Sequence, residues 1–290
     1  MTIPTVLPLS PRTLPPDFVI REIGQATLVI RREWEEPLIS SGILTDQPGS
    51  SAIQETPIPG GRESASIVTV AAVGKLVVRR YRRGGLIGKI LVDRYLSASR
   101  PFRELAVLSL AGARGVPVPE VLGASSTRAG LFRHRGRIVT RLVPESRTLP
   151  AFIREKRDES RRVEDVLKKA GAAIKAMHDA GIYHTDLNMN NILVTDQGRI
   201  VLIDFDKARA LDGMSAARRA ANLRRLLRSL RKLRESGSPL EDGEFSMIIE
   251  GYADKDVALA GALRTMTLGS RSLMLRSALS RTIRRIFPGA

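Results

Sequence analysis

Two carboxylates and one amide at fixed spacing carry the most specific chemistry in this 290-residue sequence. Asp186 and Asn191 lie five residues apart in the stretch His184-Thr-Asp-Leu-Asn-Met-Asn-Asn-Ile-Leu-Val. A second acid, Asp204, follows an apolar run from Ile200 to Ile203 that reads as a buried strand. An ionised carboxylate can orient a hydroxyl and accept its proton, and carboxylate and amide oxygens are hard donors suited to a divalent cation. Asp-Leu-Asn-Met-Asn-Asn could also be only a turn, because Asn and Asp hydrogen-bond their own backbone. Context favours chemistry: the loop sits between an apolar-periodic helix and a strand pair, and the second acid arrives at a hairpin's distance. The set can bring together a hydroxyl, a metal and a nucleoside triphosphate, which is the requirement of phosphoryl transfer.

The flanking sequence must supply the elements that hold these groups. Residues 1 to 16 are rich in Pro and read as irregular, and Phe18 to Arg31 suggests one or two short strands. Residues 35 to 60 carry Pro, Gly, Ser and Asp without periodicity and read as a long connection. From Gly60, a glycine-bearing hairpin leads into the strand Lys75-Leu-Val-Val-Arg-Arg-Tyr81. Backbone N–H groups near Gly61 and Ser64 could approach phosphates closely, since glycine has no side chain to obstruct them; two glycines before a strand can also be just a turn. Side-chain alternation puts Val77 and Arg79 on one face, and Arg79, Arg80 and Arg82 are alternative phosphate-facing cations or solvated strand ends.

Arg100 to Leu110 reads as a helix with Leu105, Leu108 and Ala106 turned inward. Glu104 near its start can reach back to pair with Arg79, or simply match the helix dipole. The helix ends at Gly112 or Gly115, and strands follow after Val116-Pro-Val-Pro and from Gly136 to Val143. Ala151 to Val163 reads as a charged helical crossing. Glu164 to Ala180 is a clean amphipathic helix with Val166, Leu167, Ala170, Ile174 and Met177 on its apolar face, and it delivers the chain to Gly181-Ile-Tyr-His184. The expected division is an N-terminal extension, 1–59, a nucleotide-binding lobe, 60–144, and a catalytic lobe, 145–290.

Charge narrows the partners. The 47 Lys and Arg outnumber the 30 Asp and Glu, a net +17 that implies an anionic partner. Aromatics make up only 4% of residues, too few for the stacking platforms of single-strand binders, so nucleic acid is not favoured over a membrane surface. Leu223, Leu226, Leu227, Leu230 and Leu233 share one face of a helix whose other faces carry eight Lys or Arg between Arg218 and Arg234. Such a helix either packs its leucines in a core or lies on an anionic membrane, and basic character returns at Arg276 to Arg285. No apolar run reaches the about 18 residues of a membrane span. The start, Met1-Thr-Ile-Pro, lacks a secretory pattern, so a cytoplasmic location is expected. The absence of Cys excludes disulfides and Cys-ligated zinc.

His184, Asp186, Leu187, Asn191, Asp204 and Phe205 resemble the His-Arg-Asp-Leu-x-x-x-x-Asn and Asp-Phe-Gly motifs of eukaryotic-type kinases. Further runs are Tyr81-Arg-Arg-Gly-Gly-Leu-Ile-Gly-Lys, Asp93-Arg-Tyr, Phe102-Arg-Glu, Gly115-Val-Pro-Val-Pro and Leu202-Ile-Asp-Phe-Asp-Lys. With them, roughly residues 60 to 235 resemble the lipopolysaccharide kinases of Gram-negative bacteria, nearest the branch acting on 3-deoxy-D-manno-octulosonic acid (Kdo). The resemblance implies an α+β, two-lobed, protein-kinase-like fold: a small antiparallel β lobe with one helix and a larger helical lobe. It implies ATP and Mg2+, with Asp186 as base, Asn191 and Asp204 as metal ligands, and Arg79 with Glu104 orienting phosphates. The implied acceptor is the Kdo 4-hydroxyl of a lipid A precursor at the cytoplasmic face of the inner membrane, with no nucleic acid and no obligate protein partner. A heptose or other small-molecule kinase would share these residues, and a catalytically degenerate membrane-bound scaffold would share the charge. Asp206 stands where protein kinases have Gly and no Ala-Pro-Glu segment follows, which argues against a protein substrate. Asn188 replaces the Lys that protein kinases place two residues after the catalytic Asp.

Overall fold

Residues 15–45, 55–58, 65–81, 93–128, 134–238, 240, 242–254, 261, 263 and 265 are described by a computed structural model. The chain divides into two compact units, one of Met1–Leu110 with Pro119–Leu142 and one of Ala111–Val118 with Val143–Ala290.

The first unit is an antiparallel sheet with helices. In chain order it holds β1 (Phe18–Ile23), β2 (Ala26–Arg31), α1 (Glu35–Ser40), β3 (Thr56–Pro57), β4 (Ala65–Val70), β5 (Gly74–Tyr81), α2 (Asp93–Ala113), β6 (Val121–Arg128) and β7 (His134–Arg141). The seven strands run in the order β1-β2-β6-β7-β5-β4-β3, each antiparallel to its neighbours. β1 and β2, which the sequence assigns to an extension, therefore pair into this same sheet through β6. A helix also interrupts the expected long connection. Pro37 fits the first turn of α1, Glu35 and Glu36 suit its positive end, and Leu38 is fully buried.

Alternation along β5 sorts its side chains. Leu76 and Val78 enter a core with Leu28, Ile30, Leu38, Leu44, Leu122 and Val139. Arg79 and Tyr81 take the other face and meet Glu104 of α2. On α2, Leu105, Val107, Leu108 and Ala111 are buried, whereas Ala106, expected to point inward, is only half-buried. At roughly 100° per residue, Leu105, Leu108 and Ala111 line one stripe and Ala106 falls nearly on the opposite side of the helix.

The second unit holds β8 (Ser146–Thr148), α3 (Leu149–Glu155), α4 (Ser160–Asp179), β9 (Ile182–Tyr183), β10 (Ile192–Thr195), β11 (Ile200–Leu202), β12 (Arg209–Ala210), α5 (Ala216–Glu235) and α6 (Asp242–Ala253). β10 lies between β11 and β8, and β9 pairs with β12, all antiparallel. The apolar face of α4 is buried as its periodicity predicts: Val166, Leu167, Ala170, Ile174 and Met177 are all inside. On α5, Leu223, Leu226, Leu227 and Leu230 are buried and Leu233 is half-buried, so the leucine stripe is used in the core. One cation of the expected basic rim, Arg219, is buried as well.

α4 and α6 cross at a pair of glycines. A Cβ on Gly171 would lie 2.0 Å from the Ile248 carbonyl oxygen, and one on Gly251 would lie 1.9 Å from the Lys168 carbonyl oxygen. Backbone packs directly on backbone there, and only glycine allows that approach. Among the described residues no helix is long and apolar enough to cross a membrane.

Candidate functional site

The second unit builds its polar loop between α4 and β10. The chain leaves α4 through Gly181 at φ +73, where a Cβ would come within 2.5 Å of the Leu211 carbonyl oxygen. After β9, His184 is buried and linked on both ring nitrogens. The peptide N–H of Asp186 donates to Nδ1 at 3.2 Å, and Nε2 lies 3.0 Å from the Ile203 carbonyl oxygen. A peptide N–H can only donate and a carbonyl only accept, so the imidazole carries its proton on Nε2. Burial holds His184 below the ordinary histidine pKa, against the opposing pull of the Ile203 carbonyl and of Asp204 and Asp186. Its ring meets the buried Phe205 edge-on, with centroids 4.9 Å apart. One neutral histidine thus ties the segment carrying Asp186 to the segment carrying Asp204.

Asp186 is held by its backbone and exposed at its side chain. Its carbonyl oxygen accepts from Asn188 Nδ2 and from Asn191 Nδ2, each at 2.9 Å. Asn188 also accepts from the Asn190 N–H at 3.0 Å, capping the single 3-10 turn Met189–Asn191. The residue that stands in place of a lysine is therefore engaged at both ends of its amide in shaping the loop. From below, Arg225 Nη1 of α5 donates to the Thr185 carbonyl oxygen at 2.7 Å, and Ser229 Oγ accepts from the Met189 N–H at 3.1 Å.

The structure brings Asn191 and Asp204 to the same place, since the Ile203 N–H donates to the Asn191 carbonyl oxygen at 3.0 Å. Asp204 itself has φ +66, a left-handed conformation that non-glycine residues seldom adopt. Donor chemistry here fits magnesium. Asn191 uses its Nδ2 on the loop, which leaves Oδ1 for a cation, and Asp204 adds a carboxylate. Among the described residues no three His, Cys, Asp or Glu side chains converge as a metal cage. A magnesium ion bound together with phosphates needs only one or two protein oxygens.

In the first unit, Arg79 Nη2 and Tyr81 Oη both bond to the Glu104 carboxylate, and Glu104 is only 3% exposed. The Arg79 guanidinium also lies 5.1 Å from the Tyr81 ring centroid. Arg80 turns to the opposite face and pairs with Glu55, with Ser66 Oγ at 3.3 Å. Of the two described arginines, it is Arg79 that meets the helix carboxylate. Gly61, Ser64 and Arg82 lie outside the described residues, as do Arg276 to Arg285.

Sequence reasoning did not find the polar residues beneath the loop. Asn222 of α5 lies 2.8 Å from the His184 carbonyl oxygen, and His178 of α4 lies between Asn222 and Tyr252 of α6. A signal was present: each is a polar side chain within an apolar helix stripe, Asn222 one turn before Leu226 and His178 one turn after Ile174.

Residues 58–252 match the model of the lipopolysaccharide kinase (Kdo/WaaP) family. Over 161 residues the chain is 38% identical to the "3-deoxy-D-manno-octulosonic acid kinase" of Photobacterium damsela subsp. piscicida, covering 54% of this chain and 65% of that one. Over 185 residues it is 34% identical to the protein of the same name from Vibrio parahaemolyticus, covering 62% of this chain and 75% of the relative. Among solved structures, "WaaP in complex with acyl carrier protein" superposes with a TM-score of 0.54 at 17% identity, covering 90% of this chain and 99% of that one. That likeness carries the protein-kinase-like fold and nothing finer. With residues 58–252, more than half of its length, matched by the family's model, this chain belongs to the lipopolysaccharide kinase (Kdo/WaaP) family.

Proposed function

We propose that this chain transfers the γ-phosphoryl group of ATP to a hydroxyl of a lipid-linked Kdo sugar, the 4-hydroxyl of a Kdo-bearing lipid A precursor. One observation carries this reading: Asp186 has its backbone fixed through His184, Asn188 and Asn191 while its carboxylate faces solvent. A base held this way can meet an incoming hydroxyl at little cost in ordering at the moment of reaction. The hydroxyl proton goes to the Asp186 carboxylate as the acceptor oxygen bonds to the γ-phosphorus, and the bond from that phosphorus to the bridging oxygen breaks to release ADP. Asn191 Oδ1 and the Asp204 carboxylate would hold magnesium, whose charge, when bound, offsets that of the phosphates. Arg79, held by Glu104, would orient the nucleotide phosphates as a fork of donors. Relatives at 34–38% identity that are named for Kdo support that acceptor.

The partner surface follows from α5. Leu223, Leu226, Leu227 and Leu230 are used in the core, which favours attachment by charge over insertion of this helix. Arg218, Arg224, Arg228 and Lys232 remain exposed along its outer face. They suit peripheral, charge-driven binding to the anionic cytoplasmic surface of the inner membrane, where the acceptor resides.

The test is transfer of label from [γ-32P]ATP with magnesium to Kdo-bearing lipid A precursor, with a heptosylated core and a generic protein as parallel acceptors. Label on Kdo, abolished by Asp186→Ala while ATP binding persists, is the expected result. Label only on heptose reassigns the acceptor, and undiminished turnover by Asp186→Ala removes the assigned base.

A further inference from the structure

A chain of buried polar groups runs beneath the loop, and its two ends demand the same polarity. At one end stands Arg219 of α5, which can only donate: Nη1 bonds Asp179 Oδ1 at 2.6 Å and lies 3.3 Å from Tyr252 Oη, and Nε bonds the Met214 carbonyl oxygen at 3.2 Å. With its oxygen facing that donor, the Tyr252 hydroxyl directs its proton to His178 Nδ1, 2.9 Å away. His178 then carries its own proton on Nε2 and donates to Asn222 Oδ1 at 3.1 Å. Asn222 Nδ2 is left for the His184 carbonyl oxygen at 2.8 Å.

The other end gives this assignment independently. The His184 peptide N–H lies 3.3 Å from the same Asn222 atom, and a peptide N–H requires an acceptor there, so that atom is Oδ1. Asn222 therefore grips both sides of the His184 residue with one amide, in the orientation that His178 imposes. Burial drives the His178 pKa down to about 3, so this imidazole stays neutral and keeps its acceptor nitrogen at Tyr252.

His184 in turn holds the Asp186 N–H through Nδ1 and the Ile203 carbonyl through Nε2. We infer that Asn222, oriented by the Arg219–Tyr252–His178 chain, is the positioning residue that sets His184 and, through it, the approach of Asp186 to the acceptor hydroxyl. α5 is thus a template for the loop, and the polarity of the template originates in a guanidinium remote in sequence from the reacting groups. This inference rests on Asp186 being the base.

Three variants test it, read by kcat, by KM for ATP, and by hydrogen exchange of the amides from His184 to Leu187. In Asn222→Ala, kcat should fall by about 100-fold, the scale of a displacement near 1 Å in a reacting group, with KM for ATP within about twofold. Exchange of those amides should rise at least about tenfold while α4 stays protected. Asn222→Asp still accepts from the His184 N–H and from His178 but sets an oxygen against the His184 carbonyl in place of a donor, so its kcat should stay low, and full kcat in this variant counts against the inference. Tyr252→Phe removes one hydroxyl with almost no change of shape, so it tests the chain even if Asn222→Ala folds poorly; an effect of roughly fivefold on kcat is expected from one lost hydrogen bond. Unchanged kcat in both Asn222→Ala and Tyr252→Phe overturns the inference, as does a loss of kcat without faster exchange, or a rise in KM alone. The exchange readout does not depend on which group is the base. If Asp186→Ala keeps full turnover while Asn222→Ala loosens the loop, the base assignment has failed and the template has not.

Discussion

The glycine crossing of α4 and α6 makes one substitution opposite in sign at two sites. Alanine in place of a helical glycine ordinarily stabilises by up to about 1 kcal/mol through backbone entropy. At Gly251 the new Cβ would stand 1.9 Å from the Lys168 carbonyl oxygen and 2.5 Å from its Cα. Carbon–oxygen contacts in proteins settle near roughly 3.3 Å, so the two helices must part by about 1.4 Å. Neither obstructing atom is the end of a side chain that could swing away. Because Tyr252 follows Gly251 directly, that displacement also stretches its 2.9 Å bond to His178 past hydrogen-bonding range. Overpacking of about 1–3 kcal/mol and a broken buried hydrogen bond of about 1–3 kcal/mol outweigh the entropic gain, leaving Gly251→Ala destabilised by about 2–4 kcal/mol. At Gly112 in α2 the Cβ would meet only Val118 Cγ2 at 3.9 Å, and Gly112→Ala should be neutral or stabilising by up to about 1 kcal/mol. Thermal unfolding followed by circular dichroism reads both; for a chain of this size Tm should fall by roughly 5–15 °C in the first variant and hold or rise in the second. A Gly251→Ala protein as stable as the parent would mean that α4 and α6 do not touch backbone to backbone, and the Tyr252–His178 contact would lose its structural basis.

Other perturbations reach the remaining parts of the site. Glu104→Gln removes the carboxylate shared by Arg79 and Tyr81, and ATP affinity by equilibrium titration should fall roughly tenfold, about the worth of one charge-assisted hydrogen bond; unchanged affinity would place the nucleotide elsewhere. Both buried histidines have lowered pKa values in the fold, so below pH about 6.5 the unfolded chain binds protons that the native chain refuses. Their contribution to stability is therefore complete above that pH and declines as pH falls, for His178 down to about 3, at up to roughly 1.4 kcal/mol per pH unit each; urea titrations should show this slope diminished in His178→Gln. Exchanging Arg224 and Arg228 together for Ala should weaken binding to anionic vesicles by roughly 30-fold at low salt, from about 1 kcal/mol per cation, with no effect on neutral vesicles. Binding indifferent to salt would count against the α5 surface.

Much of this molecule could be read from local pattern. The buried set on α4 follows from a period of 3.6, and the apolar stretch from Phe18 to Arg31, read as one or two short strands, is the pair β1 and β2. Asp186, Asn191 and Asp204 were legible because their links are short-range: Asn191 bonds a carbonyl five residues back, and the hairpin returns Ile203 to the same loop. α1 escaped notice because Pro37 and the neighbouring Ser and Gly read as a connection, while only tertiary burial of Leu38 secures the turn. Sequence position could not separate Arg79 from Arg80. In the structure they take opposite faces, Arg79 meeting Glu104 of α2 and Arg80 meeting Glu55 and Ser66.

What stayed hidden is a matter of sequence distance. Asn222 bonds a residue 38 positions away and His178 bonds one 74 positions away, and no local periodicity encodes a partner at that range. Periodicity does expose a cost. A polar group on an apolar helix face would lose roughly 1–3 kcal/mol if its hydrogen bonds went unmade, so Asn222 and His178 each require a counterpart somewhere in the fold. Two such residues on separate helices are satisfied here by each other and by the backbone of His184. The same requirement accounts for Arg219. Among the eight cations between Arg218 and Arg234 it alone occupies a buried position, where a guanidinium is tolerable only against a carboxylate such as Asp179, and where its inability to accept agrees with the direction of each bond from Tyr252 through His178 to Asn222.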